Sequence, residues 1–273
     1  MITTQQVNEF DENGFLIIRD FYEKQAIDHV RKELFDIIGF ASRQRGINIR
    51  GSNFDPENFD IGFNEILAKD REVGSIVYDA AKHLLSFHRL LCEDKHEKVM
   101  KLLRLNCFPA IASGGYGIRI DNPGEDKFRA YWHQEYPSQL RSINGVVFWS
   151  PLVKMYKELG PVMFAPKSHK LGICKVKLDE DESRSGAYKL RLVDEEKVIS
   201  RFGVIAPILM PGDVVVVDYL TLHASGKNSS DRSRWSMQFR YFDFADPMGN
   251  SFNWKGSFAS GFDFAKVHPE LID

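Results

Sequence analysis

From Leu103 onward the chain breaks into short apolar runs separated by Gly, Pro and Asn, and that punctuation restricts the folds open to it. The runs are Leu103 to Ile111, Tyr116 to Ile120, Arg129 to Gln134, Gly145 to Val153, Pro161 to Phe164, Val204 to Leu209, Val214 to Tyr219 and Ser233 to Phe242. Each has strand length and strand composition, and the breaks between them carry turn chemistry. About eight such strands in succession predict a double-stranded β-helix, the jelly roll of cupins. The residues before Leu103 have a different period. Thr3 or Thr4 can cap a helix reaching Phe10 that Gly14 ends, and Phe15 to Ile18 reads as a strand. Lys24 to Phe40 carries Ile27, Val30, Leu34, Ile37 and Ile38 at helical spacing, and Ser42 to Pro56 reads as a loop. Helical pattern returns from Phe59 to Leu103, with the stripe Ile76-Val77, Ala80-Ala81, Leu84-Leu85. The expected fold is therefore mainly β with helical dressing: a jelly-roll core preceded by an α-helical part. One domain is expected over residues 1–273, with a helical lead to about 102, a core over about 103–244 and an extension over 245–273.

Within this frame, His133-Gln134-Glu135 and His223 are the residues with metal chemistry. On an extended strand the side chains at i and i+2 share a face, so His133 and Glu135 can grip one ion while Gln134 turns away. A third ligand must come from a neighbouring strand, and His223 follows Val214-Val215-Val216-Val217, an apolar run that reads as a buried strand. Two imidazoles and one carboxylate hold a non-haem Fe(II) on one face and leave the other open. A lone His-x-Glu is more often a hydrogen-bonded core histidine beside an unrelated acid. Here Arg234 lies on the alternating run Arg234 to Phe242, where a planar guanidinium can clamp a carboxylate through two parallel hydrogen bonds, the other reading being an ordinary ion pair. Arg232 and Arg240 compete for that role. His83, His88 and His96 are spaced five and eight apart, which does not align them on one helix face, and they read as structural or solvated.

These segments together resemble the phytanoyl-CoA dioxygenase family of Fe(II)/2-oxoglutarate oxygenases. Phe10-Asp11-Glu12-Asn13-Gly14-Phe15-Leu16-Ile17-Ile18 is similar to the family's opening helix, glycine and strand. His133-Gln134-Glu135 stands where the family has His-Gln-Asp. Trp149, with Gly160-Pro161-Val162-Met163-Phe164-Ala165-Pro166-Lys167-Ser168-His169, is similar to its Trp…Gly-x-Leu-x-x-x-Pro-Gly-Ser-His stretch. His223-x-Ser225-x-x-Asn228…Arg234 is similar to the closing His-x-Ser-x-x-Asn…Arg. The match runs from about Val7 to Phe244 and weakens between Arg43 and Leu102 and between Leu171 and Gly203. It departs at Glu135, one methylene longer than the usual Asp, and at Lys167, which replaces a glycine and implies different backbone angles in that turn.

The resemblance implies Fe(II) held by His133, Glu135 and His223, and 2-oxoglutarate whose distal carboxylate meets Arg234 with help from Ser225. Trp149 either packs beside the co-substrate or belongs to the core. Arg119 either faces the cavity, where it would meet an anionic substrate, or lies at the surface. The reaction implied is hydroxylation of a small molecule by O2 with release of succinate and CO2. An intact carboxylate at position 135 argues against halogenation. Two other readings remain: a metal-dependent cupin that uses no keto acid, and a jelly-roll binding module without catalysis.

Bulk properties remove other classes. The formal charge of −2 comes from interspersed residues and leaves no basic footprint for nucleic acid. No run approaches the roughly 18 apolar residues that span a bilayer, and the first residues lack a basic start and apolar centre. Cys92, Cys107 and Cys174 are odd in number and contain no Cys-x-x-Cys pair, so they read as reduced thiols. A cytoplasmic enzyme is expected, with no nucleic-acid or membrane partner. Nothing in the sequence speaks to oligomeric state or to the substrate.

Overall fold

The computed structural model describes residues 2–48, 53–179, 190–256 and 263–273. The chain begins with helix α1 (Thr4–Asn13), whose start and stop are both local chemistry. The Thr3 side chain accepts from the Gln6 backbone while the Gln6 side chain accepts from the Thr3 backbone, a reciprocal capping box. Gly14 ends the helix in the left-handed region, φ 79°, which glycine enters without a Cβ penalty. Its carbonyl then accepts from the Asp218 backbone at 2.9 Å and the Thr221 hydroxyl at 2.7 Å, tying the helix to the turn that leads into His223.

Strand β1 (Phe15–Ile18) follows, then α2 (Lys24–Gln44), which extends four residues past the expected end because Ala41 and Ser42 are buried and continue its inner face. Residues 49–52 of the expected loop lie outside the described residues. The next helices are α3 (Phe63–Lys69), α4 (Glu72–Ala81), α5 (Leu85–Leu91) and α6 (Asp94–Leu103). The apolar stripe at 76–85 does not run through one helix. α4 stops at Ala81, and Leu85, which opens α5, is 66% exposed while Phe87, Leu90 and Leu91 turn inward.

Among the described residues three antiparallel sheets carry the remainder. The large one has strand order β1, β8 (Val214–Asp218), β4 (Val146–Pro151), β10 (Arg234–Asp243), β2 (Pro109–Ile111), with β3 (Gly117–Asp121) also pairing β10. The small facing sheet pairs β5 (Val162–Phe164) with β9 (His223–Ser225), and single bridges add His133 beside His223 and Ile205 beside Phe164. β6 (Val176–Leu178) and β7 (Leu190–Leu192) pair antiparallel with each other, and Val176 also bridges Ile272. This is the jelly-roll arrangement, with the helices packed around it. β8 and β4 are buried along their whole length, which explains why they read as continuous apolar runs without alternation.

Several strand expectations need correction. Leu103 belongs to α6, Leu105 and Phe108 are exposed, and pairing begins only at Pro109. Arg129 to Gln134 and Val204 to Leu209 are not strands; each forms one isolated β-bridge, at His133 and Ile205, and Ala130 O adds a single hydrogen bond from Ser225 N at 2.9 Å. Lys167 sits at φ 69°, the left-handed conformation a glycine would adopt, so the turn keeps that geometry despite the substitution. Its ammonium pairs with Glu12 at 2.6 Å. No helix among the described residues is long and apolar enough to cross a membrane.

Candidate metal and co-substrate site

The two histidines come together through backbone pairing. His133 N donates to His223 O at 3.0 Å, and His223 N returns the bond to His133 O at 3.1 Å. Glu135 reaches the same point by a route the sequence did not indicate. It is not on a strand: its backbone is helical, φ −75° and ψ −33°, and it opens the short helix α7 (Tyr136–Gln139), with Pro137 in the first turn. Gln134 does turn away. Its amide donates to Gly172 O and Leu220 O, both at 2.7 Å, and its oxygen accepts from Cys174 N at 2.8 Å. One ligand atom from each of His133, Glu135 and His223 lies within 4.8 Å of the others.

Tautomers follow from the partners. His133 Nδ1 lies 2.7 Å from Tyr131 O, and His223 Nδ1 lies 2.9 Å from Thr221 O. A carbonyl can only accept, so each Nδ1 carries the proton and each Nε2 presents its lone pair. This is the arrangement in which imidazoles serve as metal ligands. Burial lowers the pKa of both rings, that of His223 to about 3, which favours the neutral ligand form. Burial alone would raise the Glu135 carboxyl. Arg240 and the two imidazoles outweigh it and hold the group at about 2, so it is anionic. Neutral imidazoles and an ionised carboxylate are the donor set a divalent ion requires.

Arg240, expected as a competitor for the clamp, binds the candidate ligand Glu135 instead. It does not compete with Arg234. Its Nε donates to Glu135 Oε1 at 2.7 Å and its Nη2 to Oε2 at 3.2 Å. Ser138 Oγ lies 2.8 Å from the same Oε1. Arg232, the other competitor, leaves the site altogether and pairs with Asp60 at 2.6 Å.

The other candidates line one cavity of about 350 Å³ with the three possible ligands. Side chains at alternate positions of β10 face it, Arg234 at one end and Arg240 at the other. Cross-strand register adds Arg119 opposite Ser236 and Trp149 opposite Gln238. Arg234 is 1% exposed. Its Nη2 donates to Ser225 Oγ at 3.0 Å, Nη1 reaches Gly160 O, and Nη2 lies 2.8 Å from Asp121 Oδ2. Asp121 is shared with Arg119, whose Nη2 is 2.7 Å from Oδ1. Burial opposes ionisation of Asp121, but the two guanidiniums hold it at about 2. Three guanidiniums, those of Arg119, Arg234 and Arg240, thus line the cavity, held by the two carboxylates of Asp121 and Glu135. Trp149 is 5% exposed, a core residue with one face on the cavity. Asn228 donates to Asp121 O and Arg232 O and serves the turn. Among the expected structural histidines, His96 is fully buried against Tyr22 and His88 bonds Lys82 O.

The model of the phytanoyl-CoA dioxygenase (PhyH) family matches residues 10–236. No curated protein matches the sequence. Among solved structures, the epimerase SnoN in complex with Fe3+, alpha-ketoglutarate and nogalamycin RO is 15% identical, with 91% of this chain and 87% of that chain covered and a TM-score of 0.57. EctD from S. alaskensis with bound Fe is 16% identical, covers 90% and 80%, and has a TM-score of 0.55. The alpha-ketoglutarate-dependent carbocyclase SnoK from nogalamycin biosynthesis is 17% identical, covers 89% and 84%, and scores 0.52. At these identities the likeness is one of fold.

Proposed function

This chain belongs to the phytanoyl-CoA dioxygenase family, and from that premise and the geometry of its cavity we propose an Fe(II)- and 2-oxoglutarate-dependent oxygenase that hydroxylates a small molecule. The observation that carries the proposal is the convergence of two Nε2 lone pairs and one carboxylate oxygen within 4.8 Å, with both Nδ1 atoms already committed to carbonyls. His133, Glu135 and His223 would hold the ion, one face of it remaining open. Iron bound there supplies the redox chemistry, coupling O2-dependent oxidation of a C–H bond to conversion of 2-oxoglutarate into succinate and CO2.

Arg234 and Ser225 are assigned to the distal carboxylate of 2-oxoglutarate. Ser225 follows His223 by two residues on β9, about 6.6 Å along the strand, a span suited to a five-carbon diacid with its other end at the ion. The excess of guanidinium over carboxylate also suits a dianion. A cupin that uses no keto acid would have no need of this buried Ser225–Arg234 pair, which favours the oxygenase over that reading. Trp149 would flank the co-substrate. The presence of Glu135 favours hydroxylation over halogenation, because the carboxylate keeps the position a halide would take.

The body of the substrate is assigned to an outer groove of about 840 Å³ that meets the inner cavity at Gly114, Arg119, Gln238 and Arg240. Tyr78, Tyr116 and Phe128 line it, and Gly117 on its wall has nothing within 4 Å of where a Cβ would stand. A groove of this size beside a 350 Å³ cavity suits a substrate larger than the co-substrate. The main apolar core draws on residues from Phe10 to Phe264, and we take the chain as a single domain with its C-terminal residues packed on that core. The test is succinate formation from 2-oxoglutarate in air. It should require Fe(II) and disappear in His133→Ala, Glu135→Ala and His223→Ala; succinate formation that survives any of the three would refute the site.

A further inference from the structure

Glutamate has one more rotatable bond than aspartate, so a carboxylate at position 135 can swing, and can offer an ion one oxygen or both. Three contacts remove that freedom. Arg240 Nε and Ser138 Oγ converge on Oε1, at 2.7 and 2.8 Å, while Arg240 Nη2 reaches Oε2 at a longer 3.2 Å. Oε2 is the oxygen turned toward His223, 3.8 Å from its Nε2. Arg240 is itself fixed, because Nη1 donates to Gly115 O at 3.1 Å and Nη2 to Gln238 Oε1 at 2.9 Å. A guanidinium fork anchored on backbone and on its own strand is a rigid jig for a carboxylate.

We infer that Arg240 is a positioning residue for the metal site: by occupying the Oε1 edge of Glu135 it limits that side chain to single-oxygen coordination through Oε2 and so keeps the remaining positions of the ion open. This rests on His133, Glu135 and His223 being the ligands. It extends that reading by giving the longer carboxylate a dedicated partner. Aspartate at position 135 would end about one methylene short of the Arg240 fork, so the benefit of Arg240 belongs to Glu135 specifically. A merely structural ion pair between β10 and α7 would carry no such dependence on the ion.

The test is a double-mutant cycle read with Co(II) alone, under nitrogen and without 2-oxoglutarate, by titration and by the visible ligand-field bands. Outer partners of metal ligands typically contribute 10–100-fold to affinity, so Arg240→Met should weaken Co(II) by that order and change the band intensities as the coordination number changes. Arg240→Lys, which keeps charge but offers no fork, should fall between. In the Glu135→Asp background the same Arg240→Met change should cost no more than about twofold, the scatter of independent sites. Thermal unfolding of the metal-free variants separates a folding defect from a site defect, and Arg240→Lys carries the cycle if Arg240→Met does not fold. Wild-type affinity and unchanged bands in Arg240→Met would overturn the inference, as would an equal loss in both backgrounds. Failure of the wild-type protein to take up Co(II) would remove the metal site itself, and the positioning role with it.

Discussion

His133 and His223 face each other across a reciprocal pair of backbone hydrogen bonds, their ring centroids 4.2 Å apart, each ring pinned through Nδ1 to the carbonyl two residues before it. The site is therefore oriented by backbone before any ion arrives. Replacing either ring, or Glu135, with alanine should leave the fold standing and abolish tight Fe(II) uptake, a loss larger than the roughly 10–100-fold of an outer partner. Equilibrium dialysis under nitrogen beside a thermal melt checks both halves, and unchanged iron uptake in any one variant would refute that ligand.

Arg234→Ala should weaken 2-oxoglutarate binding to the metal-loaded protein by about ten- to a hundredfold. A charge-assisted, two-pronged carboxylate contact contributes about 1.5–3 kcal/mol. Asp121 would keep Arg119, so no buried carboxylate is left unpaired. Arg234→Lys should recover part of the loss, and Arg232→Ala, whose native partner is Asp60, should bind as wild type. Titration of 2-oxoglutarate into each variant decides it; an Arg234→Ala curve that overlays wild type would remove the clamp.

Gly117→Trp should fill the outer groove at little cost to the fold, because its Cβ would enter open space and its backbone is not left-handed. Its 2-oxoglutarate affinity should match wild type, while the molecule that accelerates 2-oxoglutarate consumption in wild type should lose that effect. Retained acceleration would place the substrate elsewhere.

Acid should destabilise the protein from pH 6.5 downward. Burial, with the Lys95 ammonium adding to it, lowers His96 from 6.5 to about 3, so over that window the unfolded chain takes a proton the native state declines. The stability is present above 6.5 and is lost as pH falls toward 3. Glu135 and Asp121, both held at about 2, surrender theirs further down, as pH falls from the carboxylate range toward 2. His133 and His223 are lowered by burial as well, so His96→Phe should reduce the upper limb without abolishing it. Urea unfolding midpoints from pH 7 to 4 measure this; a wild-type midpoint flat across that range would contradict it.

What was legible in the sequence was local. The Thr3 cap, Gly14 and the buried runs of β4 and β8 declare themselves because their signals lie within a few residues. The alternation along β10 that singles out Arg234 also puts Arg240 on the same face, six residues on, yet its partner across the cavity could not be read from spacing. His-x-Glu fits period 2 and so predicts a strand at Glu135. Pro137 two residues later was the signal for a helix start instead. Arg129 to Gln134 has strand composition but makes only one bridge, at His133, and one further backbone bond, at Ala130, before the chain turns into α7. At Lys167 the fold overrode residue preference, keeping a left-handed turn for a lysine held by Glu12.

One anaerobic titration tests the co-substrate assignment most directly: 2-oxoglutarate is added to the Fe(II)-loaded protein while the visible charge-transfer band of an iron–keto-acid chelate is followed. The prediction is a band that saturates at one equivalent, needs both Fe(II) and 2-oxoglutarate, and requires a much higher 2-oxoglutarate concentration in Arg234→Ala. A protein that binds Fe(II) at His133, Glu135 and His223 yet gives no band at saturating 2-oxoglutarate would contradict the co-substrate assignment.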